Sequence, residues 1–135
     1  MAGLKRLDHV IIACRDAEGA ARTWEGNLGL KAEAPFQPPG SHLRLVRLPV
    51  GGSAVELAQP LTADHRVARF IEERGEGMFS IAVEVEDLEG MVAYLRSKGV
   101  RVSRIEARPW EGTRVARINR ASAHGVAIQL IERST

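Results

Sequence analysis

Alternation of apolar and polar positions marks the strands of this chain, and apolar positions three to four residues apart mark its helices. Strand alternation covers residues 9–14 and again residues 80–85. Each of these segments is followed by an aspartate that can cap a helix, Asp16 in the first case and Asp87 in the second. The pattern therefore predicts a strand followed by a capped helix at two places.

These two places belong to an internal repeat. The segment Asp16-Ala-Glu-Gly-Ala-Ala21 matches Asp87-Leu-Glu-Gly-Met-Val92, residues 43–48 match 113–118, and residues 55–57 match 128–130. The repeat predicts a strand, a helix and three strands, written twice, with residues 35–41 as a loop in the first copy. We expect one α+β domain over 1–135, with paired βαβββ modules at about 5–60 and 78–133.

A connecting helix is predicted between the two copies, at about 62–75. Thr62 can cap it, and Val67, Phe70 and Ile71 have the spacing of its buried stripe. Glycines at the end of this segment can stop the helix and turn the chain into the second copy.

Composition and charge exclude several classes of function. The chain has 135 residues, 44% hydrophobic residues and a mean hydropathy of -0.14, which is typical of a folded globular protein. Lysine and arginine number 19 against 17 acidic residues, too even a balance for a nucleic-acid-binding surface. A single cysteine excludes an intrachain disulfide, and no apolar segment is long enough to span a membrane. The sequence therefore predicts a cytoplasmic protein that binds neither nucleic acid nor membrane.

Polar residues recur at matched strand positions. If the apolar neighbours of His9 and Glu56 face a helix, these two side chains lie on the opposite face of the sheet. The repeat makes Ser80 the counterpart of His9, and Gln129 the counterpart of Glu56. We expect the four to line a shared cleft if the sheets curl around one.

The chain resembles the vicinal oxygen chelate (glyoxalase/bleomycin resistance/dioxygenase) superfamily, and within it the methylmalonyl-CoA epimerase family. The matching segments are Leu7-Asp-His-Val10, Val55-Glu-Leu-Ala-Gln-Pro60, Val67-Ala-Arg-Phe-Ile-Glu-Glu-Arg-Gly-Glu-Gly77, Ile81-Ala-Val-Glu-Val85 and Gly125-Val-Ala-Ile-Gln-Leu130. The resemblance implies two βαβββ modules that form a curved sheet around a cleft. It also implies a divalent metal held by one residue from each of the four matched positions, and commonly a homodimer.

Two of the four implied metal ligands are substituted. Ser80 stands where the family has a second histidine, and Gln129 where it has a final glutamate. A hydroxyl and a neutral amide are poor replacements for an imidazole and a carboxylate. We therefore expect His9, Glu56 and Gln129 to hold a divalent ion (Co, Zn, Ni, Mn or Mg) weakly or not at all.

Two functions follow from the resemblance and the substitutions. In the first, the chain is an isomerase or lyase acting on a small carboxylated or acyl-CoA ligand, with Glu56 as base and His9 as acid or remaining metal ligand. The residues expected to bind the ligand are Arg44, Arg114, Arg117, Trp110 and Ser80. In the second, it is a metal-free small-molecule (antibiotic-type) binding protein without catalysis. A third hypothesis, a purely structural dimer, gives no reason for matched polar positions beyond common ancestry.

Overall fold

The computed structural model describes residues 3–134 of the chain. In that range the elements are β1 (Leu4–Ala13), α1 (Ala17–Leu28), β2 (Leu43–Val50), β3 (Ser53–Pro60), α2 (Arg66–Arg74), β4 (Gly77–Val85), α3 (Leu88–Ser97), β5 (Glu106–Arg108), β6 (Thr113–Ile118), a 3₁₀ helix (Arg120–Ala123) and β7 (Ala127–Arg133). None of these helices has the length and apolar character needed to cross a membrane.

The chain divides into two units, and β1 contributes to both. The first unit is His9–Phe79, and the second consists of the described residues 3–8 together with 80–134. The first unit therefore contains the connecting helix α2 as well as most of the first copy, and the start of β1 groups with the second copy. Within the second unit, the Gly3 carbonyl accepts a hydrogen bond from the Glu86 backbone N–H.

In the first unit the strand order is β2-β3-β1, with β3 antiparallel to β2 and parallel to β1. One face of this sheet packs on α1 through a core of Cys14, Ala17, Ala21, Val46, Leu48 and Leu57. The other face packs on α2 through a core of Ile11, Ala13, Ala58, Val67, Ile71 and Phe79. The alternation predicted for β1 is therefore confirmed, since Cys14 and Ile11 belong to cores on opposite faces.

In the second unit the strand order is β4-β7-β6-β5, with β4 parallel to β7 and the other two pairs antiparallel. One face packs on α3 through a core of Val85, Leu88, Met91, Val92, Ala116 and Leu130. The register repeats that of the first unit. Ile11 lies opposite Glu56 there, and Ala82 lies opposite Gln129 here, as the sequence repeat requires.

Two details of the first copy differ from the sequence-based prediction. The strand expected directly after α1 is reduced to one bridge between Phe36 and Leu45, whose backbone N–H and carbonyl groups exchange two hydrogen bonds. The connecting helix begins at residue 66 rather than 62, and its N-cap is His65, not Thr62. Its buried residues include Val67 and Ile71, as the spacing predicted.

The repeated Asp-x-Glu-Gly segment builds the start of a helix. Asp16 accepts a hydrogen bond from the Gly19 N–H at 3.1 Å, and Asp87 accepts one from the Gly90 N–H at 3.0 Å. A Cβ on either glycine would overlap the capping carboxylate. A side chain at either position would therefore require the capping carboxylate to shift.

Gly90→Ala is expected to bring none of the stability that alanine usually adds to a helix. The new Cβ displaces the Asp87 carboxylate, so the loss of the cap, about 1 kcal/mol, offsets the gain in helix propensity of about 1 kcal/mol. Gly26→Ala in α1 is the matched control because nothing lies within 4 Å of its added Cβ. Urea unfolding should show a clear gain for Gly26→Ala only; equal gains would mean that the Asp87 cap contributes nothing.

The cap of α2 is a histidine, which makes this helix sensitive to pH. The His65 Nδ1 accepts a hydrogen bond from the Val67 N–H at 3.0 Å and must be unprotonated to do so. Burial lowers the pKa of His65 from its ordinary value of 6.5, with the positive charge of Arg66 acting in the same direction. Because the unfolded chain binds the proton more readily, this contribution is complete above about pH 6.5 and is lost as the pH falls below it.

His65→Asn is expected to keep the cap without this titration. At pH 7.5 the variant and the parent should have similar free energies of unfolding, whereas near pH 5 the variant should be more stable by up to about 1 kcal/mol. Denaturant unfolding at both pH values measures the difference in free energy of unfolding between variant and parent. The contributions of the other titrating groups cancel in this difference. A difference that does not change with pH would show that His65 does not titrate as a cap.

Candidate functional site

His9 and Glu56 lie side by side on the α2 face of the first unit. Their apolar neighbours along β1 and β3 occupy the opposite face, against α1, as the alternation predicted. The His9 Nε2 lies 3.5 Å from the Glu56 Oε1, and the two side chains are only 9% and 13% exposed. The first unit therefore holds an imidazole and a carboxylate in contact, largely shielded from water.

A third residue, Arg47, completes this cluster. It lies directly across from Glu56 in the β2–β3 register, and its Nη1 is 2.6 Å from the Glu56 Oε2. Arg47 was missed from the sequence, although the repeat aligns it with Arg117. We call His9, Glu56 and Arg47 the first-unit cluster; it combines two groups that can transfer protons with a fixed positive charge.

The second unit has the matching positions with different chemistry. Gln129 faces away from the α3 core and lies opposite Arg117 in the β6–β7 register. The Arg117 guanidinium lies 3.6 Å from the Glu106 carboxylate. Ser80 is 1% exposed, and its hydroxyl donates a hydrogen bond to the Ala127 carbonyl at 3.0 Å. An arginine beside an amide thus replaces the arginine–carboxylate pair of the first unit.

The arginines Arg44 and Arg114 are placed elsewhere, on the helix faces of their sheets. Arg44 binds Glu18 in the first turn of α1 at 3.0 Å, and Arg114 binds Glu89 in the first turn of α3 at 2.8 Å. Arg114 also binds Glu132 at 2.6 Å. Both arginines therefore anchor a helix to its sheet, and neither joins the polar face on which we expected a ligand.

The acceptors for the first helical N–H groups repeat as well. Gln59 Oε1 accepts from the Ala17 N–H at 3.0 Å, and Glu132 Oε2 accepts from the Leu88 N–H at 2.9 Å. The hydrogen bond from Leu88, together with Arg114, lowers the pKa of Glu132. These contacts explain the polar residues on the helix side without a ligand.

The structure also locates Trp110, which the sequence suggested as a ligand-binding residue, and Cys14, the single cysteine. Trp110 is 43% exposed, in the turn between β5 and β6. Cys14 is buried against the Ala58 carbonyl, and burial raises the pKa of its thiol to about 11. The thiol is therefore protonated near neutral pH, and Cys14 is a core residue rather than a nucleophile.

A buried ion cluster holds the start of β1 within the second unit. Asp8 is fully buried, and its Oδ1 accepts from Arg6 Nη2 at 2.8 Å and from Arg133 Nη2 at 2.7 Å. Glu84, also buried, binds Arg6 Nε at 2.9 Å and lies 3.7 Å from the Lys5 ammonium. The contact with Asp8 raises the pKa of Arg133. These pairs place both carboxylates beside cations, as buried charges require.

The residues present do not fit a divalent metal. Within residues 3–134 no group of three or more histidine, cysteine, aspartate and glutamate side chains could hold an ion. Glu56 already receives the Arg47 guanidinium at 2.6 Å, and a cation there repels a second cation. Ser80 and Gln129 add no negative charge to offset the cost of dehydrating a dication.

Comparison with known proteins identifies a family whose members are similar to this chain. The model of the glyoxalase/bleomycin resistance protein/dioxygenase superfamily matches residues 8–117. The ethylmalonyl-CoA/methylmalonyl-CoA epimerase of Cereibacter sphaeroides is 33% identical over 98 residues, which cover 72% of this chain and 73% of that protein.

Two solved structures agree over nearly the whole chain. Methylmalonyl-CoA epimerase from Mycobacterium tuberculosis matches with a TM-score of 0.88 and 29% identity, covering 98% of this chain and 90% of that one. A Streptomyces coelicolor methylmalonyl-CoA epimerase variant in complex with 2-nitronate-propionyl-CoA matches with a TM-score of 0.89 and 26% identity, covering 98% and 100%. With its two βαβββ modules, this chain belongs to the glyoxalase/bleomycin resistance protein/dioxygenase superfamily and has the vicinal oxygen chelate fold that its repeat and motifs predicted.

Proposed function

We propose that this chain binds a carboxylated acyl-CoA thioester and removes the proton from the carbon next to the thioester carbonyl. The observation that carries the proposal is the first-unit cluster, in which Glu56 contacts both Arg47 at 2.6 Å and His9 at 3.5 Å. The relatives support the choice of ligand, because one is an ethylmalonyl-CoA/methylmalonyl-CoA epimerase and another was solved with 2-nitronate-propionyl-CoA.

Each residue of the cluster has a role in this chemistry. The Glu56 carboxylate accepts the proton, and the electron pair of the broken C–H bond moves into the thioester carbonyl to give an enolate. The Arg47 guanidinium supplies the positive charge that stabilises the enolate oxygen. His9 returns a proton to the carbon, which restores the thioester, and the proton held by Glu56 then passes to His9 or to solvent, so that both groups return to their starting states. None of these steps requires a metal, in keeping with the poor fit of the residues to one.

The short distance between His9 and Glu56 bears on the outcome of the reaction. Two groups 3.5 Å apart on one sheet face approach a substrate carbon from the same side. Proton removal and return by this pair alone would therefore exchange the proton without inverting the carbon. Enolate formation is also the common first step of isomerases and of lyases that release carbon dioxide, so exchange and inversion need separate measurements.

The experiment is incubation of the protein with one epimer of methylmalonyl-CoA in D2O, with EDTA present. Proton NMR follows loss of the α-proton signal, an assay specific for one epimer follows inversion, and release of carbon dioxide identifies a lyase. We expect exchange of the α-proton under these conditions. No exchange, no inversion and no carbon dioxide would overturn the proposal.

A second candidate function is metal-free binding of a small molecule without chemistry. Arg47 favours this function, because its guanidinium holds the Glu56 carboxylate at 2.6 Å and the stable pair could bind a ligand without reacting with it. Calorimetric titration with methylmalonyl-CoA, followed by analysis of the recovered ligand, separates the two. Binding that EDTA does not alter, with the ligand recovered unlabelled from D2O, would support this function over the first.

The homodimer and the cytoplasmic location are part of the same proposal. They follow the family resemblance and the composition of the chain. Light scattering after size-exclusion chromatography tests the first, and fractionation of cells that express the chain tests the second.

A further inference from the structure

The end of α3 and the segment after it carry positive charge without negative charge. Between Glu89 and Glu106 the chain has no acidic residue. This stretch has four cationic residues, all exposed, which are Arg96, Lys98, Arg101 and Arg104. The matching segment of the first copy, 25–33, has one lysine and two glutamates. A helix followed by an extended segment therefore forms in both copies, but only the second copy carries this charge.

Two of the four cations have roles within the fold. The Arg96 Nη2 donates hydrogen bonds to the carbonyls of Val102 and Ser103, both at 3.3 Å. The Lys98 ammonium lies 5.4 Å from the centroid of the Tyr94 ring. Both residues also lie at the carboxyl end of α3, where cations stabilise the helix dipole. Arg96 and Lys98 are thus explained without a ligand.

Arg101 and Arg104 have no such role. Neither guanidinium makes a hydrogen bond, an ion pair or a ring contact within the part of the chain that the structure describes, residues 3–134. By contrast, Arg114 on the neighbouring strand β6 binds Glu89 and Glu132. Two exposed positive charges are therefore left without a carboxylate to offset them.

The two guanidinium groups are carried on the same side of their segment. Val102 and Ile105 both pack into the core beneath α3, although they are three residues apart. Side chains that recur every three residues indicate a polyproline II-like segment rather than an alternating strand. Arg101 and Arg104 each directly precede one of these core residues, so they share a side and are about 9 Å apart along the segment.

The backbone between the two arginines is fixed to β6. The Ser103 N–H donates to the Arg117 carbonyl at 2.9 Å, and the Ser103 hydroxyl accepts from the Arg117 N–H at 2.8 Å. Val102 forms a bridge with Ile118. A ligand that binds the two guanidinium groups therefore does not have to order the backbone that carries them.

We infer that Arg101 and Arg104 bind phosphate groups of the CoA part of the ligand. The inference rests on the proposed function, which gives the chain an acyl-CoA ligand, and it adds where the phosphates bind. A guanidinium can donate two parallel hydrogen bonds to a phosphate, and CoA carries both a diphosphate and a ribose 3′-phosphate. Nucleic acid suits the chain less well, because its 19 basic residues are nearly balanced by 17 acidic ones.

The experiment is calorimetric titration with CoA and with pantetheine, which has the same thiol arm but no phosphate. EDTA is present and the ionic strength is low. CoA should bind the parent protein more tightly than pantetheine does. Arg101→Gln/Arg104→Gln should weaken CoA binding about tenfold or more and leave the affinity for pantetheine unchanged. Added salt should weaken CoA binding more in the parent than in this variant.

Arg22→Gln/Lys31→Gln is the matched control. It removes the same charge from two exposed residues of the first copy, in α1 and in the segment after it. This variant should bind CoA with parental affinity, and both double variants should keep Tm within about 2 °C of the parent because the four side chains are exposed. Equal weakening by both would show an effect of net charge alone and would overturn the inference.

Other outcomes also overturn it. These are equal affinities of CoA and pantetheine, unchanged CoA affinity in Arg101→Gln/Arg104→Gln, or an oligonucleotide that binds these two arginines more tightly than CoA does. The titration involves no thioester, so it does not depend on proton exchange at the first-unit cluster. If CoA bound through the two arginines and the thioester exchanged no proton, only the proposed function would fail. If exchange occurred with the parental KM in Arg101→Gln/Arg104→Gln, only this inference would fail.

Discussion

Replacing Asp8 by alanine is expected to lower the free energy of unfolding by about 3 kcal/mol. The carboxylate is fully buried and accepts hydrogen bonds from Arg6 and Arg133 at 2.8 and 2.7 Å. Breaking a buried ion pair leaves a charge without its partner and typically costs about 3–5 kcal/mol. The lower end applies because the two guanidinium groups are 42% and 38% exposed and can regain water.

Urea unfolding of Asp8→Ala measures this loss, and Glu18→Gln is the control. Glu18 and Arg44 form an ion pair of similar length, 3.0 Å, but both side chains are exposed, so the loss there should stay below about 1 kcal/mol. Raising the salt concentration should weaken only the exposed pair. If Asp8→Ala cost no more than Glu18→Gln, the buried cluster would not be what holds the start of β1.

Replacing Glu56 by glutamine is expected to slow exchange of the α-proton of methylmalonyl-CoA about 100-fold or more. The amide keeps the size of the side chain and removes the group that accepts the proton. Arg47, whose Nη1 lies 2.6 Å from the Glu56 Oε2 in the parent protein, stays beside the new glutamine amide and can still attract an anionic ligand. The variant should therefore lose kcat while its affinity for the ligand changes much less.

Two further variants make this result specific. His9→Gln should also slow exchange, since it removes the group 3.5 Å away that returns the proton. Glu18→Gln, on the helix side of the sheet, should exchange at the parental rate. If Glu56→Gln exchanged the α-proton at the parental rate, the base would lie elsewhere. If the parent protein bound the ligand but exchanged no proton, the binding function would be favoured.

Much of the fold could be predicted because its signals are local. The Asp-x-Glu-Gly segments fix two helix starts through a cap that needs a short acceptor and a glycine three residues later. The strands that flank these segments are also repeated. The pairing of β1 with β3 has the same register as the pairing of β4 with β7, so Glu56 and Gln129 occupy matching positions. The strand directly after α1 in the first copy is reduced to the Phe36–Leu45 bridge, which lies within the segment 35–41 that the sequence predicts to be a loop.

The candidate site was predictable only in part. Strand alternation placed His9 and Glu56 on one face, and the structure brings them to 3.5 Å. Strand alternation could not show which of Arg44 and Arg47 lies on the same face as Glu56, because β2 is apolar on both faces. Leu43 and Leu45 pack toward α2, while Val46 and Leu48 pack toward α1, so no alternation remains to orient the arginines.

Local signals in the amino-acid sequence were enough to predict the two-module plan, the aspartate caps of α1 and α3, and the strands that carry His9 and Glu56. These follow from the period of a strand, the chemistry of a helix end and the identity of a side chain, which need no distant partner. The ion pairs of Arg47 with Glu56 and of Asp8 with Arg133 could be recognised only in the folded chain. Such pairs depend on sheet register and on which helix covers which face, and both are set by packing between residues far apart in sequence.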